Sequence, residues 1–256
     1  MRINPVKKAL AEGKFQLGTG FGQLRSAEIP KLLKAAGFDW AFVDTEHGNF
    51  DLETVQDVCR VASLVDFCPI VRVSDMQYSL VARALDSGAE GIIFPRVESV
   101  EALERGVSWT KFPPVGIRGF GLTAMQIDWD TKPTFPQIIE HVNANTLVVF
   151  QIETQKALDA RDELLAVPGI DAVLIGPADL SISLGVPGEF QHPKMVAAIE
   201  AVRDSCIKYG VAPGMQTRTP ALATFWKERG MRFLGCSNDT GMLFDRACEL
   251  SRAIRA

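Results

Sequence analysis

The 256-residue sequence predicts an α/β protein of the (β/α)8 TIM-barrel class, and three observations lead there. Eight apolar runs of strand length alternate with amphipathic runs of helix length. A length near 250 residues is what such a barrel requires. No linker-like shift in composition and no low-complexity tract divides the chain, so residues 1–256 read as one domain.

Lys7 to Lys14 reads as a short amphipathic helix closing one end, and Phe15 to Gly18 as the first strand, followed by a Gly-rich turn. Ser26-Ala27-Glu28 opens a helix through Ala36, with Ser26 as its N-cap and Gly37 as its stop. Trp40 to Asp44 is the second strand, and Asp51 caps a helix over Leu52 to Leu64. Pro69 to Arg72, the helix Ser79 to Ser87, the strand Gly91 to Pro95 and the helix Val100 to Trp109 follow. A Gly- and Pro-rich loop runs from Phe112 to about Thr131, long enough for a lid or a subunit contact. It is a poor phosphate loop, because no G-K-[ST] follows. Then come a helix from Pro136 to Asn145, the fifth strand Leu147 to Glu153, a helix from Thr154 to Ala166 and the sixth strand Ala172 to Ile175. Pro193 to Tyr209 is helical, Val211 to Met215 is strand seven, and Thr219 caps a helix from Pro220 to Arg229. Arg232 to Gly235 is strand eight, and Thr240 to Arg255 is the closing helix.

The formal charge of −4 leaves no basic footprint for nucleic acid. No apolar run approaches a membrane span, and Met1 to Pro5 leads into no signal-peptide core. Five cysteines, an odd number without C-x-x-C, fit reduced thiols in a cytoplasm and not a zinc site.

A barrel of this kind carries its chemistry at the C-terminal ends of its strands. Two successive apolar runs of strand length, the fifth and sixth, each end in a carboxylate, Glu153 and Asp179. Gln151 and Glu153 share one strand face, Phe150 and Ile152 the other. A divalent cation between the two carboxylates is one reading, since hard cations take oxygen ligands. In the other, Glu153 pairs with an arginine and Asp179 caps a helix. Asp44 and Glu46 share a face at the end of strand two, and His47 begins the loop above, as a general base or as a surface histidine. Arg72 offers a planar fork of donors for a carboxylate or an enolate, or a partner for Glu46 or Glu153. Gly176-Pro177-Ala178-Asp179-Leu180-Ser181 reads as a tight turn with backbone N–H groups for a small anion. His141 and His192 read as plain surface residues. No predicted strand holds a lysine, which disfavours Schiff-base chemistry; Lys156 lies just beyond strand five, in a helix.

Taken together, Phe38-Asp39-Trp40 through Asp44-Thr45-Glu46-His47, Val71-Arg72, Pro113-Pro114-Val115-Gly116-Ile117-Arg118-Gly119, Gln151-Ile152-Glu153 and Gly176 to Ser181 resemble the HpcH/HpaI aldolases, metal-dependent (class II) pyruvate aldolases. The similarity runs from about Gly18 to the end of strand eight. It implies a barrel whose last helix packs on a neighbouring subunit, in a homohexamer built as a trimer of dimers. It implies that Glu153 and Asp179 hold Mg2+, Mn2+ or Co2+, chelated in turn by the keto and carboxylate oxygens of pyruvate. Gln151 and the backbone at Ala178 and Asp179 would contact substrate, Arg72 would stabilise the enolate, and His47 would act as base, directly or through a water. An acid that raises the basicity of this histidine matches Asp86, with Asp44 the nearer candidate. The implied reaction is reversible cleavage of a 4-hydroxy-2-oxo acid to pyruvate and an aldehyde. Oxaloacetate decarboxylation, citrate-lyase-β-like acyl-CoA cleavage, or a non-catalytic metabolite-binding barrel are the alternatives. Two stretches depart from the family, Thr19-Gly20-Phe21 where a tryptophan is common, and Leu122 to Trp129 after Arg118-Gly119. Both bear on the aldehyde half of the site.

Overall fold

The computed structural model describes residues 1–121, 127 and 129–256. Eight strands close into a barrel in sequence order: β1 (Gln16–Phe21), β2 (Trp40–Asp44), β3 (Cys68–Arg72), β4 (Gly91–Phe94), β5 (Leu147–Ile152), β6 (Ala172–Ile175), β7 (Gly214–Thr217) and β8 (Phe233–Asn238). Every neighbouring pair is parallel, including β8 with β1. Among the described residues the helices are α1 (Pro5–Ala11), α2 (Ile29–Ala35), α3 (Leu52–Ser63), α4 (Tyr78–Asp86), α5 (Val100–Trp109), α6 (Phe135–Asn145), α7 (Gln155–Asp159), α8 (Arg161–Leu165), α9 (Pro177–Ser183), α10 (Pro193–Tyr209), α11 (Pro220–Glu228) and α12 (Asp239–Arg255). None of them is long and apolar enough to cross a membrane. The five cysteines are free thiols.

The eight-strand prediction holds, and the differences have local causes. The first helix starts two residues early, because Asn4 accepts the Lys7 N–H and Pro5 fits the first helical position. Ser26 does not cap α2; its Oγ accepts the Glu28 N–H in a preceding turn. The predicted helix over Thr154 to Ala166 breaks at Ala160 into α7 and α8. Strand seven lies further along than predicted, since Ala212 makes only an isolated bridge to Ala172 and Pro213 has no N–H to give. The tight turn expected at Gly176 to Ser181 is the start of α9, with Pro177 at its head.

Alternation along the strands builds two apolar layers. Phe150, Ile152, Val173 and Ile175 point outward to the helices. Trp40, Ile70, Ile93, Leu147, Val149, Leu174 and Phe233 point into the barrel. Its floor is the Trp40 indole stacked on the Phe233 ring, with centroids 4.0 Å apart, and Val6 and Leu10 of α1 belong to the same cluster. Gly18 on β1 permits this floor, because a Cβ there would overlap the indole. With the lower layers filled by hydrocarbon, the next inward positions, at the C-terminal strand ends, are free to be polar.

Candidate active site

Those next positions are Asp44, Arg72, Gln151 and, one step past β5, Glu153. The β2–β3 register sets Asp44 directly beside Arg72. Arg72 gives Asp44 a two-pronged contact, Nε to Oδ1 at 3.0 Å and Nη2 to Oδ2 at 2.7 Å. Its Nη1 turns to Glu46 Oε2 at 3.1 Å and to Gln151 Oε1 at 3.4 Å. The guanidinium also lies over the Phe42 ring, 5.2 Å from its centre. Burial works against the charge on Asp44, but the hydrogen bonds and charge of Arg72, with the backbone N–H groups of His47 and Glu46, outweigh it and hold the carboxyl below its ordinary range.

Glu153 is 4% exposed and accepts the backbone N–H of Arg96 at 2.7 Å. Burial pushes its carboxyl up; the Arg96 amide opposes this, and the charges of Glu46 and Asp179 add to the rise. Gly176 leaves the carboxylate its room, since a Cβ there would lie 2.7 Å from Oε2. Asp179 stands exposed in the first turn of α9, where the helix dipole favours an anion. The N–H groups of Ala178 and Asp179 belong to that same first turn, beyond reach of any carbonyl of the helix. Glu153 therefore sits among like charges and wants a cation. Oxygen donors alone, two of them carboxylates, fit a hard divalent ion.

His47 is exposed, with Nε2 3.9 Å from Glu46 Oε1. Asp44 touches the histidine through its backbone N–H, at 3.2 Å, and spends its carboxylate on Arg72. It is a brace for the arginine and does not meet the imidazole ring. Asp86 ends α4, the helix that leads back from the mouth toward the start of β4. There it binds Arg118, Nη2 to Oδ1 at 2.7 Å, a guanidinium whose side chain is 2% exposed. Within one protomer the expected His47–Asp86 contact is therefore not made, because the helix carries the acid to the opposite rim. His141 and His192 are not plain surface residues either. His141 Nε2 lies 2.8 Å from the Arg2 carbonyl, and His192 Nδ1 accepts the Lys194 N–H at the head of α10.

Two more residues belong to the site: Glu46, which the sequence offered only as a face-mate of Asp44 and a partner for Arg72, and Arg96, which it did not offer. Glu46, 10% exposed, lies between Arg72, His47 and Arg96, whose Nε is 3.5 Å from Oε1. The period-two spacing from Asp44 placed Glu46 on the right face; nothing local marked Arg96. The strands contain no lysine, and Lys156 pairs with Glu98 on the surface. The stretch Leu122 to Trp129 lies largely outside the described residues. At the other departure, a Cβ on Gly20 would stand 3.1 Å from both the Phe42 ring and Asn238.

Residues 20–240 match the model of a family described as HpcH/HpaI aldolase/citrate lyase. The chain is 35% identical over 241 residues to a 4-hydroxy-2-oxo-heptane-1,7-dioate aldolase of Salmonella heidelberg, covering 94% of this chain and 90% of that one. The structure of an HpcH/HpaI aldolase from Desulfitobacterium hafniense superposes with a TM-score of 0.94 at 31% identity, covering 99% and 97% of the two chains. A family member from Burkholderia cenocepacia does so with a TM-score of 0.90 at 30% identity, covering 99% and 100%.

Proposed function

The chain belongs to the HpcH/HpaI aldolase/citrate lyase family and is a carbon–carbon lyase of the 4-hydroxy-2-oxo acid aldolase type, and on that premise we propose how its mouth residues divide the work. The observation that carries the reading is Arg72, braced by Asp44 and aimed past Gln151 at the Glu153 carboxylate layer. Glu153 and Asp179 would hold a divalent cation, Mg2+, Mn2+ or Co2+; the cradle at Gly176 and the raised Glu153 carboxyl support this. When bound, the cation supplies Lewis-acid stabilisation for charge developing on the keto oxygen of the substrate.

The protein's own groups do the rest. Gln151 and the first-turn N–H groups of Ala178 and Asp179 orient the pyruvate half by its oxygens. His47 takes the proton from the 4-hydroxyl. The C3–C4 bond then breaks, its electron pair passes to the pyruvate half as enolate, and the aldehyde departs. Arg72 Nη1, shared between Glu46 and Gln151 in the free protein, turns to the enolate oxygen as its charge grows. A proton returned to C3 gives pyruvate. Asp86 serves His47 only if a neighbouring copy brings its α4 to this mouth.

A neighbouring copy is itself part of the proposal. Asp239 is the only buried residue of α12, whose Leu243, Phe244, Leu250 and Ile254 lie bare. We read that stripe as the contact of a homohexamer built as a trimer of dimers, checked by light scattering on the purified protein. The free thiols suit a cytoplasmic setting, and residues 1–256 act as one barrel domain.

The test is deuterium exchange at the methyl group of pyruvate, followed alongside cleavage of a 4-hydroxy-2-oxo acid. Both are expected to stop when divalent ions are chelated and to return with Mg2+, Mn2+ or Co2+. Full rates after exhaustive metal removal would overturn the mechanism.

A further inference from the structure

Asp239 is 6% exposed, yet the helix it opens does not need it as a cap. Asn238 already caps α12, its Oδ1 accepting the Gly241 N–H at 2.7 Å. Asp239 reaches the other way, into the loop that follows β1. There three successive backbone N–H groups converge on its Oδ2: Gly22 at 3.3 Å, Gln23 at 2.9 Å and Leu24 at 2.8 Å. Such a nest of amides suits one anionic oxygen, and hydrogen bonds to a charged acceptor are the strong kind. Oδ1 takes the Thr240 N–H at 2.9 Å, so both oxygens of the buried carboxylate are engaged.

The loop held in this way is a wall of the mouth. A Cβ on Gly22 would stand 3.3 Å from the Asp44 Cβ and 3.9 Å from its Oδ2, so the Gly22 backbone lies against the Asp44 side chain. The Gly22 carbonyl accepts the Asn49 N–H at 3.2 Å, tying the same loop to the segment after β2. On its far side Asp44 meets Arg72 with both oxygens, at 3.0 and 2.7 Å. Asp44 is thus confined between the loop and the guanidinium. The contacts run unbroken from Asp239 through Gly22 and Asp44 to Arg72, and close-packed interiors pass a displacement on rather than absorb it.

Resting on the enolate reading above, we propose that Asp239 is a positioning residue for the reaction: through the loop after β1 it fixes Asp44, and through Asp44 it aims Arg72. It touches no substrate itself. Without it the loop drifts off Asp44, and the guanidinium meets the enolate from a looser seat. Arg72 turns to the substrate as charge develops, whereas ground-state pyruvate is held by other groups. The loss therefore falls on kcat and spares KM.

The experiment follows deuterium exchange at the pyruvate methyl, with Mg2+ present, in wild type, Asp239→Ala, Asp239→Asn and Gly22→Ala. Asp239→Ala is expected to lower kcat roughly 10-fold with KM for pyruvate nearly unchanged, within what a small misplacement of a reacting group costs. Asp239→Asn still offers the nest an oxygen and keeps most of the rate. Gly22→Ala presses a methyl group onto Asp44 and lowers kcat from the middle of the same chain of contacts; it carries the test if Asp239→Ala fails to fold. The decisive readout is a cycle with Arg72→Lys. Once the fork is gone, the second substitution costs little more, and the combined loss falls well short of the product of the two. Amide hydrogen exchange in the metal-free protein is the readout apart from turnover: residues 22–24 lose protection in Asp239→Ala and keep it in Arg72→Lys. Multiplying losses in the cycle, a rise in KM with kcat kept, unchanged protection, or wild-type rates in the Ala variants would each overturn the assignment. Any of these beside metal-dependent exchange in the wild type defeats only the role of Asp239, whereas no exchange at all defeats the enolate reading and this inference with it.

Discussion

The two ends of the barrel use the same kinds of side chain in opposite ways. At the end where the strands begin, each charge has fixed company. Lys7 Nζ binds Asp171 at 2.8 Å and the Thr146 carbonyl at 3.0 Å. Lys111 Nζ donates to the carbonyls of Asn143 and Thr146, closing the last turn of α6. Arg2 holds Ser63 and Phe67 carbonyls, and Arg118 holds Asp86. At the mouth the charges are shared and crowded: Glu46 lies among Arg72, Arg96 and His47, and Glu153 is buried beside other carboxylates. One end spends its polar groups on holding loops and helices together. The other leaves them shared among several partners, as the proposed mechanism needs.

The largest effect is expected from Glu153→Gln, which tests this contrast directly. Exchange at the pyruvate methyl falls about 10³-fold, the loss of a Lewis-acid site, yet the metal-free variant melts no lower than wild type at pH 7. The sign follows from the raised carboxyl. The folded protein binds the Glu153 proton more tightly than the unfolded chain does, so the contribution of this group to metal-free stability is fully present at low pH and is lost as pH rises from 4.5 through the folded value. Melting curves at several pH values, with and without a divalent ion, check it.

Arg72→Lys comes next. A point charge cannot hold both Asp44 oxygens and still face the substrate, so kcat falls ~10²-fold with the fold retained. Near wild-type kinetics would remove Arg72 from the chemistry.

At the opposite end, Asp86→Asn leaves the Arg118 guanidinium buried without its counter-charge and costs about 2 kcal/mol of stability, less than a fully buried pair because Asp86 is 37% exposed. Denaturant titration measures that loss. If turnover per folded enzyme also falls, and the pH profile of kcat moves, Asp86 acts on a histidine across a subunit boundary.

The smallest effect on turnover concerns Lys111. Burial, with Lys7 close by, brings its ammonium down to about 7. The unfolded chain keeps that proton to higher pH, so the wild type gains stability as pH rises from about 7 toward 10.5. Lys111→Met removes this slope and leaves kcat alone.

The barrel was legible because its strands are short and alternate cleanly; Leu147 to Glu153 alone declares an inner and an outer face. Asp44, Arg72, Gln151 and Glu153 were placed for the same reason, since parity sends them inward where the strands end; Asp179 follows no such rule, because it stands on α9. α9 was missed because Gly176-Pro177 reads equally as a turn and as a helix start. For Asp86 the resemblance gave a helix position without its direction; a helix that returns from the mouth carries its last turn away from His47 of the same protomer. Arg96 lay beyond local reasoning, because only tertiary packing brings a loop arginine after β4 over an acid that follows β2.

The floor of stacked rings has a kinetic meaning. A well closed below by Trp40 and Phe233 has one doorway, and on the proposed mechanism the pyruvate half would lodge at the bottom of it. The aldehyde must go out first and pyruvate last. Product inhibition then carries the signature of ordered release, with pyruvate competing against the substrate and the aldehyde inhibiting noncompetitively.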